Sequence, residues 1–224
     1  MRDRWKGLLL AGLAAAALWA SASSRAAEGS GNVLARWLFD EGKGTVASDG
    51  AGGAADGRIE RATWSTGRSS GALAFEDYSI LNYLKPDVRE ATRVVVPHVG
   101  RLNPPGPFTL RAAIYPTRSP LYFGGIFEKG RGYGASLRLI LRRGLRPRAV
   151  YGPDSATVDG AEPLSLDAWH EVELRFDGDT LTLKVDGKVQ GRTSGVKPGA
   201  NSPDPVVIGE RFSGKIDEVV LTSP

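Results

Sequence analysis

One segment in the C-terminal third restricts the fold more than any other, because its residues alternate as in two consecutive β-hairpins. The segment is WHEVELRFDGDTLTLKVDGKVQG, Trp169–Gly191. Val172, Leu174 and Phe176 alternate with polar residues, which is the period of a strand with one buried face. A DGD turn then reverses the chain, and Asp186-Gly187 has the residue types that a two-residue type I′ turn prefers. The segment therefore predicts antiparallel strands.

Short alternating runs of the same kind recur along most of the chain, and turn residues separate them. These runs are Val33–Phe39, Ala72–Phe75, Val94–Pro97, Pro107–Pro116, Tyr122–Gly130, Ala135–Gly144, Val206–Gly209 and Phe212–Pro224. The sequence has 29 Gly and 14 Pro, enough to supply many turns. We predict an all-β fold of eleven or twelve short strands in a single domain, the usual arrangement for a β-chain of about 200 residues.

The N-terminus has the order of a secretory signal peptide. Arg2, Arg4 and Lys6 precede an uncharged apolar run, Leu8–Ala20, and the small residues Ala20–Ala22 fit a cleavage site. The run is shorter than the roughly 20 residues that a membrane-spanning helix needs. We therefore predict a cleaved signal peptide at 1–27, a mature chain at 28–224 without a transmembrane span, and a secreted, periplasmic or cell-envelope location.

Net charge and the numbers of Cys and His limit the partners and chemical sites that the sequence predicts. The formal net charge is +4, and it falls to +1 when the four cations and one anion of residues 1–27 are removed. A mature chain so close to neutral gives no reason to expect nucleic acid as a partner. There is no Cys and there are only two His, so disulfides, zinc sites and cysteine nucleophiles are not expected.

A series of motifs in fixed order resembles one family along nearly all of the predicted mature chain. The motifs are WLFDEGKGTVASD (Trp37–Asp49), GALAF, PFTLRAAIYP, GGIFEKG, WHEVELRFDG, LTLKVDGK and VIGERFSGKIDEVVL. This order is similar to that of laminin-G-like domains in the concanavalin A-like lectin/glucanase superfamily. The resemblance implies a two-sheet antiparallel β-sandwich, or jelly roll, over 28–224, with the first and last strands side by side.

The resemblance leaves the activity open, because the superfamily contains lectins, glycosidases, adhesion modules and structural domains. We predict an exported, non-catalytic, lectin-like module that binds a polysaccharide or glycoconjugate. The alternative is a structural or protein-interaction domain of the cell envelope, with an envelope protein as its partner and no sugar ligand. A divergent glycosidase or lyase is a third, less favoured interpretation.

The closing strand presents a problem, because its acids interrupt the apolar alternation. Ile216, Glu218 and Val220 fall on one face, which draws either Asp217 or Glu218 toward apolar surroundings unless a bulge resets the register. If the terminal strands are neighbours, as the resemblance implies, Glu41 and Asp217 converge.

With Asp49 from the intervening loop, these acids predict a structural Ca²⁺ site, since Ca²⁺ prefers carboxylate oxygens. In the alternative interpretation Asp217 caps a turn or pairs with Lys43, Arg211 or Lys215. Both interpretations stay open at this point.

A basic run suggests where a ligand binds. Its members, within eighteen positions that contain no acid, are Arg131, Arg138, Arg142, Arg143, Arg146 and Arg148. Guanidinium groups bind carboxylates and sulfates in pairs of hydrogen bonds. We therefore predict Arg138, Arg142 and Arg143 as contacts to a sugar ligand, with anionic polysaccharides among the candidates, together with Tyr78, Tyr83 and Tyr122 in less regular segments. The alternative is a solvated face that protects a sheet edge from pairing.

Catalytic patterns are missing from the sequence. The alternating carboxylates of superfamily glycosidases, ExDxxE, do not occur, and Glu171 and Glu173 of HEVELRF fit a solvated sheet face. Ser165 has no nucleophile motif around it, and His170 next to Trp169, a predicted core residue, suits a hydrogen-bonded role. We predict that the protein is not an enzyme.

Overall fold

The computed structural model describes residues 31–52, 54–77, 91–130, 136–199 and 201–224. The predicted signal peptide, Tyr78 and Tyr83 lie outside these ranges. The described residues form sixteen strands and one short 3-10 helix, Gly100–Leu102, so the prediction of eleven or twelve strands was too low. No helix among them is long and apolar enough to cross a membrane.

Sheet 1 is antiparallel and contains both ends of the described fold. Its strands are β1 (Asn32–Trp37), β4 (Thr63–Thr66), β5 (Gly71–Phe75), β7 (Phe108–Pro116), β12 (His170–Phe176), β13 (Leu181–Val185), β14 (Lys188–Thr193) and β16 (Gly214–Ser223). Their order is β14-β13-β12-β7-β16-β5-β4, and β1 also pairs with β16. The predicted pairing of the first and last strands is therefore confirmed, with Trp37 opposite Val219.

Sheet 2 is antiparallel as well and contains Arg138, Arg142, Arg146 and Arg148 of the basic run. Its strands are β2 (Val46–Ala47), β3 (Gly57–Glu60), β6 (Arg93–Val96), β8 (Phe123–Lys129), β9 (Ser136–Arg142), β10 (Arg146–Gly152), β11 (Ala156–Asp159) and β15 (Val206–Ile208). Their order is β11-β10-β9-β8-β15-β6-β3-β2. The basic strand β9 lies between β8 and β10, so its arginines do not protect a sheet edge.

The inward faces of the two sheets form one hydrophobic core. Trp37 and Phe127 lie with ring centroids 6.3 Å apart, and the ring of Tyr151 packs 4.8 Å from both Phe108 and Phe176. The polar ends of the buried rings are satisfied: Trp37 Nε1 donates to the carbonyl of Ala55 at 2.8 Å, and Tyr151 Oη donates to a carbonyl at 3.1 Å. The all-β sandwich is as predicted.

A β-bulge in β16 resolves the conflict in the closing strand. Asp217 pairs with Ala113, but the next partner pair is Val220 with Arg111, and Glu218 has φ +50°. The extra residue shifts the alternation by one position, so that Ile216, Val219 and Leu221 all reach the core. Asp217 is left on the opposite face of sheet 1.

The hairpins predicted over Trp169–Gly191 are present. Asp186 and Gly187 both have positive φ, 49° and 76°, as a type I′ turn requires. The prediction of Trp169 as a core residue was wrong, because Trp169 is half-buried on the outer face of sheet 1, with its ring 5.5 Å from that of Tyr115. Trp37 is in the core, and Trp64 packs against its margin.

Candidate functional site: an arginine pocket on sheet 2

A pocket on the outer face of sheet 2 brings together four of the predicted ligand residues. The pocket has a volume of about 450 Å³, and we call it the arginine pocket; its lining residues are Leu121, Tyr122, Phe123, Arg138, Ile140, Arg142, Arg143 and Arg148. Leu139 and Leu141 of β9 point into the core, so the residues that alternate with them along the strand, Arg138, Ile140 and Arg142, face outward. Alternation along one strand therefore supplies both the core and the pocket.

Short hydrogen bonds hold the rim of the pocket in place. The β9–β10 turn contains Gly144 and Leu145 with φ values of 77° and 61°. Arg143 N donates to the carbonyl of Tyr122 at 3.0 Å, and Gly144 N donates to Ser119 Oγ at 2.9 Å. The turn is thus fastened to the segment that presents Tyr122, whose side chain is 74% exposed.

Arg138 is neutralised by a buried carboxylate. Its Nε and Nη2 both donate to Glu128 Oε2, at 3.0 and 2.7 Å. Glu128 is buried, and Arg211 lies 3.8 Å from its other oxygen. Arg138 and Arg211 also contact the ring of Phe123, at 5.2 and 4.1 Å from its centroid. Arg138 is therefore a fixed wall of the pocket.

Arg148 is neutralised in the same way by Asp159 of the neighbouring strand. The two side chains form a paired hydrogen bond of 2.6 and 2.7 Å. This hydrogen bond raises the pKa of Arg148 and lowers the pKa of Asp159, so both groups stay ionised at neutral pH. Arg142 lies farther from Asp159, at 3.7 Å.

A second cleft on sheet 2, of about 250 Å³, has balanced charge. It is lined by Arg58, Glu60, Arg93, Val95, Asp204, Pro205 and Val207. Arg93 bridges Glu60 at 2.7 Å and Glu210 at 3.2 Å, and Arg58 also pairs with Glu60. Its cations are thus already paired with acids, which makes the arginine pocket the stronger candidate for a ligand site.

The three predicted calcium ligands are not brought together. Asp49 accepts hydrogen bonds from the backbone N–H groups of Arg36 and Ala51, and it pairs with Arg101. Glu41 accepts from Ser48 N at 2.6 Å. Within the described ranges, no group of three or more acids or histidines is arranged to hold a metal ion. The acids of the Asp40–Gly57 loop instead order its backbone.

Asp217, the third predicted ligand, is buried beneath the segment that precedes β5. Its Oδ2 accepts from Arg68 N at 2.9 Å, and the side chain is 1% exposed. The pKa of Asp217 is raised to about 6, mainly because burial removes the carboxylate from solvent. The hydrogen bond from Arg68 N–H lowers this pKa, and the negative charges of Glu218 and Asp40 raise it further. The acids that act on Asp217 are thus its neighbour Glu218 and, from the loop after β1, Asp40, where Glu41 was predicted.

Lys129 is a fully buried cation that no sequence pattern marked. Its Nζ donates to Ser202 O at 3.0 Å, to Asp204 O, and to His98 Nδ1 at 3.0 Å. Burial lowers the pKa of Lys129, and the charge of Asp204 opposes that shift. All three ammonium hydrogens have acceptors, which is the condition for burying a lysine. Lys129 thereby ties β8 to the segment before β15.

A chain of hydrogen bonds links three residues at the end of sheet 1 where β12 begins and β13 ends. Ser165 Oγ lies 2.8 Å from His170 Nε2, and His170 Nδ1 lies 2.9 Å from Asp186 Oδ2. This is the order of atoms in a serine-hydrolase triad. No linear motif could reveal it, because the residues come from a loop, a strand and a turn. Asp186 also accepts from Glu171 N at 2.9 Å, so the chain of hydrogen bonds fastens the loop to the hairpin.

We expect no esterase activity from this chain of hydrogen bonds, because a nucleophile needs a substrate held against it and Ser165 lines neither cleft described above. The measurement is hydrolysis of 4-nitrophenyl acetate by the wild type and by Ser165→Ala. Equal background rates are expected. Turnover that disappears in Ser165→Ala while the variant stays folded would instead establish an enzyme.

Glu171 and Glu173, the remaining carboxylates weighed for catalysis, have cationic partners. Glu173 bonds to Lys184 at 2.8 Å, and Glu171 lies 3.6 Å from Arg68. They are half-buried on the outer face of sheet 1, where a fully solvated face was expected.

The two antiparallel sheets with paired terminal strands define the protein as a lectin-like β-sandwich. The chain belongs to the concanavalin A-like lectin/glucanases superfamily, since a laminin-G-like family model of that description matches residues 89–223. No curated protein sequence matches the chain significantly.

Solved structures share this fold at low sequence identity. Domain 4 of AbnA, a GH43 extracellular arabinanase from Geobacillus stearothermophilus in complex with arabinotriose, is 13% identical with a TM-score of 0.63; the match covers 86% of this chain and 93% of that domain. Trypanosoma rangeli sialidase is 20% identical with a TM-score of 0.59, over 85% of this chain and 30% of the sialidase. The botulinum neurotoxin serotype D binding domain is 11% identical with a TM-score of 0.62, over 86% of this chain and 48% of that domain.

Proposed function

We propose that the protein is an exported, non-catalytic carbohydrate- or glycoconjugate-binding module whose ligand occupies the arginine pocket. The observation that carries this proposal is Tyr122, which is 74% exposed at the rim of a 450 Å³ cavity. An aromatic ring of this size in contact with water is a ready contact for the apolar face of a sugar. The arabinotriose bound to the similar arabinanase domain supports the same class of ligand.

The chemistry of the pocket suits a sugar. Leu121 and Tyr122 supply exposed apolar surface, and the guanidinium groups in the same pocket supply hydrogen-bond donors. Ligand sites typically combine an apolar lining with a few fixed polar groups. Arg138 and Arg148 are held by their carboxylate partners, so their donors are positioned before a ligand arrives.

Truncation of Tyr122 tests the proposal. Residues 28–224 are assayed against immobilised arabinan, xylan, dextran, polygalacturonate and dextran sulfate. We expect Tyr122→Ala to weaken binding to the preferred glycan about tenfold, the effect of losing a central aromatic contact. Val189→Ala, which truncates a 45% exposed side chain on β14, is the matched control and should bind as the wild type does.

If the folded wild type binds none of these glycans, this proposal is overturned. That result would favour the second candidate, a structural or protein-interaction domain of the cell envelope that binds an envelope protein. Binding that Tyr122→Ala leaves unchanged would place the sugar site elsewhere on the fold.

A further inference from the structure

We infer that the arginine pocket is specific for acidic glycans, chains that carry carboxylate or sulfate groups, and that Arg142 and Arg143 are the residues that read this charge. The inference rests on the proposed function and deepens it by naming the class of sugar. It assigns different roles to the four arginines of the pocket. Arg138 and Arg148 form the walls of the pocket, and Arg142 and Arg143 bind the ligand's anionic groups.

The charge balance of the pocket leaves two cations uncompensated. Glu128 and Asp159 are the acids that contact its arginines, and neither lines the cavity itself. Each is engaged most closely by one arginine, Arg138 at 2.7 Å and Arg148 at 2.6 Å. A concave surface with excess positive charge concentrates anionic ligands.

Arg142, which shares Asp159 with Arg148, and Arg143, which contacts neither acid, differ from the other two arginines in exposure and partners. Arg142 is 47% exposed and lies 3.7 Å from an oxygen of Asp159 that Arg148 already holds. Arg143 is exposed, and its side chain makes no hydrogen bond or ion pair within the described part of the chain. Both guanidinium groups therefore have free donors for a carboxylate or sulfate, which they bind in pairs of hydrogen bonds.

Exposed apolar surface beside the arginines favours a glycan over a bare anion. Leu121 is 37% exposed and Tyr122 is 74% exposed, and both line the pocket. A sugar ring covers such apolar surface while its acidic substituent reaches the arginines. Proteins that bind single-stranded nucleic acid stack successive bases on several aromatic side chains. Tyr122 is a single exposed aromatic ring in this pocket, which favours a glycan over such a strand.

The experiment measures dissociation constants for polygalacturonate, dextran sulfate, neutral dextran and a single-stranded DNA oligonucleotide at 50 and 200 mM salt. We expect binding to one or both acidic glycans, about fivefold weaker at the higher salt because two charge contacts are screened. The carboxylate and sulfate probes show which anionic group the pocket accepts. Neutral dextran should bind at least tenfold more weakly.

Three variants distinguish recognition of the ligand's negative charge from an effect on folding stability. Arg142→Gln combined with Arg143→Gln should weaken acidic-glycan binding more than tenfold and remove most of the salt dependence. Asp159→Asn should strengthen binding several-fold, because it frees Arg148 and Arg142 from a negative charge. Arg192→Gln removes one exposed charge from β14 of the other sheet and should change neither quantity. Thermal melting of each variant confirms that it is folded.

The outcomes distinguish the two proposals. Salt-independent binding to a neutral glycan that depends on Tyr122 overturns the acidic specificity and leaves the carbohydrate function in place. Failure to bind any glycan overturns both. Equal affinity for the oligonucleotide and the acidic glycans, or an Asp159→Asn variant that binds no better than the wild type, also contradicts the acidic-glycan assignment.

Discussion

Replacing Lys129 with methionine should lower the free energy of unfolding by about 1–3 kcal/mol, because that is the cost of leaving the buried Ser202 carbonyl without a donor. Methionine keeps most of the volume of the lysine stem but cannot donate to Ser202 O, Asp204 O or His98 Nδ1. Lys129 and Ser202 are buried, so water cannot reach the Ser202 carbonyl without local opening, whereas Asp204 and His98 are exposed residues whose acceptors water can satisfy. Urea unfolding at neutral pH measures the change.

Lys188→Met is the matched control for Lys129→Met. Lys188 is exposed on the edge strand β14, where a substitution is expected to change stability by no more than about 0.5 kcal/mol. If Lys129→Met unfolds at the same urea concentration as the wild type, the buried ammonium group does not hold the segment before β15. If only the dependence of the free energy of unfolding on urea concentration changes, the segment before β15 is detached while the β-sandwich stays folded.

Asp217→Asn should raise the free energy of unfolding at pH 7 by about 2–3 kcal/mol, which is the size of a pKa shift of two units. The pKa of Asp217 is raised from 3.8 to about 6, so its folded form holds a proton that the unfolded chain releases at lower pH. Its contribution therefore favours folding below about pH 4 and is lost as the pH rises through about 6. The amide stays neutral, so the gain over the wild type appears at pH 7 and disappears at pH 4.

The difference between the two unfolding curves isolates this group from other acids. Asp159 and Asp177 have lowered pKa values and act in the opposite direction on acidification, but they are present in both proteins. Asp154→Asn, at a 67% exposed position that pairs with Lys197 at 3.0 Å, serves as the control and should change stability by less than about 1 kcal/mol at either pH.

The same variant tests the proposal that Ca²⁺ is bound at Asp217. A cation held only by the folded state would stabilise it, so Asp217→Asn would then lower the melting temperature and a chelator would lower that of the wild type. We expect the opposite sign for the variant and no effect of the chelator, because Asp217 is covered by Arg68 and paired with its N–H.

Local patterns were sufficient to predict much of the fold and part of the candidate site. Alternation within the predicted run Ala135–Gly144 is enough to place Leu139 and Leu141 on one face and Arg138 and Arg142 on the other, and the structure has this arrangement. Asp186-Gly187 predicted its turn from residue type alone. These predictions succeed because side-chain direction in a strand and backbone angles in a tight turn depend on near neighbours in the chain.

The sequence by itself thus determined most of the strands, the hairpins of Trp169–Gly191 and the outward direction of the basic side chains of β9, while β2, β3, β4, β10 and β11 were not predicted. Only the tertiary structure decided which arginines keep free donors, because Glu128 and Asp159 reach Arg138 and Arg148 across neighbouring strands. It also decided that Asp217 is buried under a segment 149 positions away, and that Lys129 finds acceptors 73 and 75 positions along the chain. Burial and charge pairing depend on such distant contacts, which packing creates and no local period encodes.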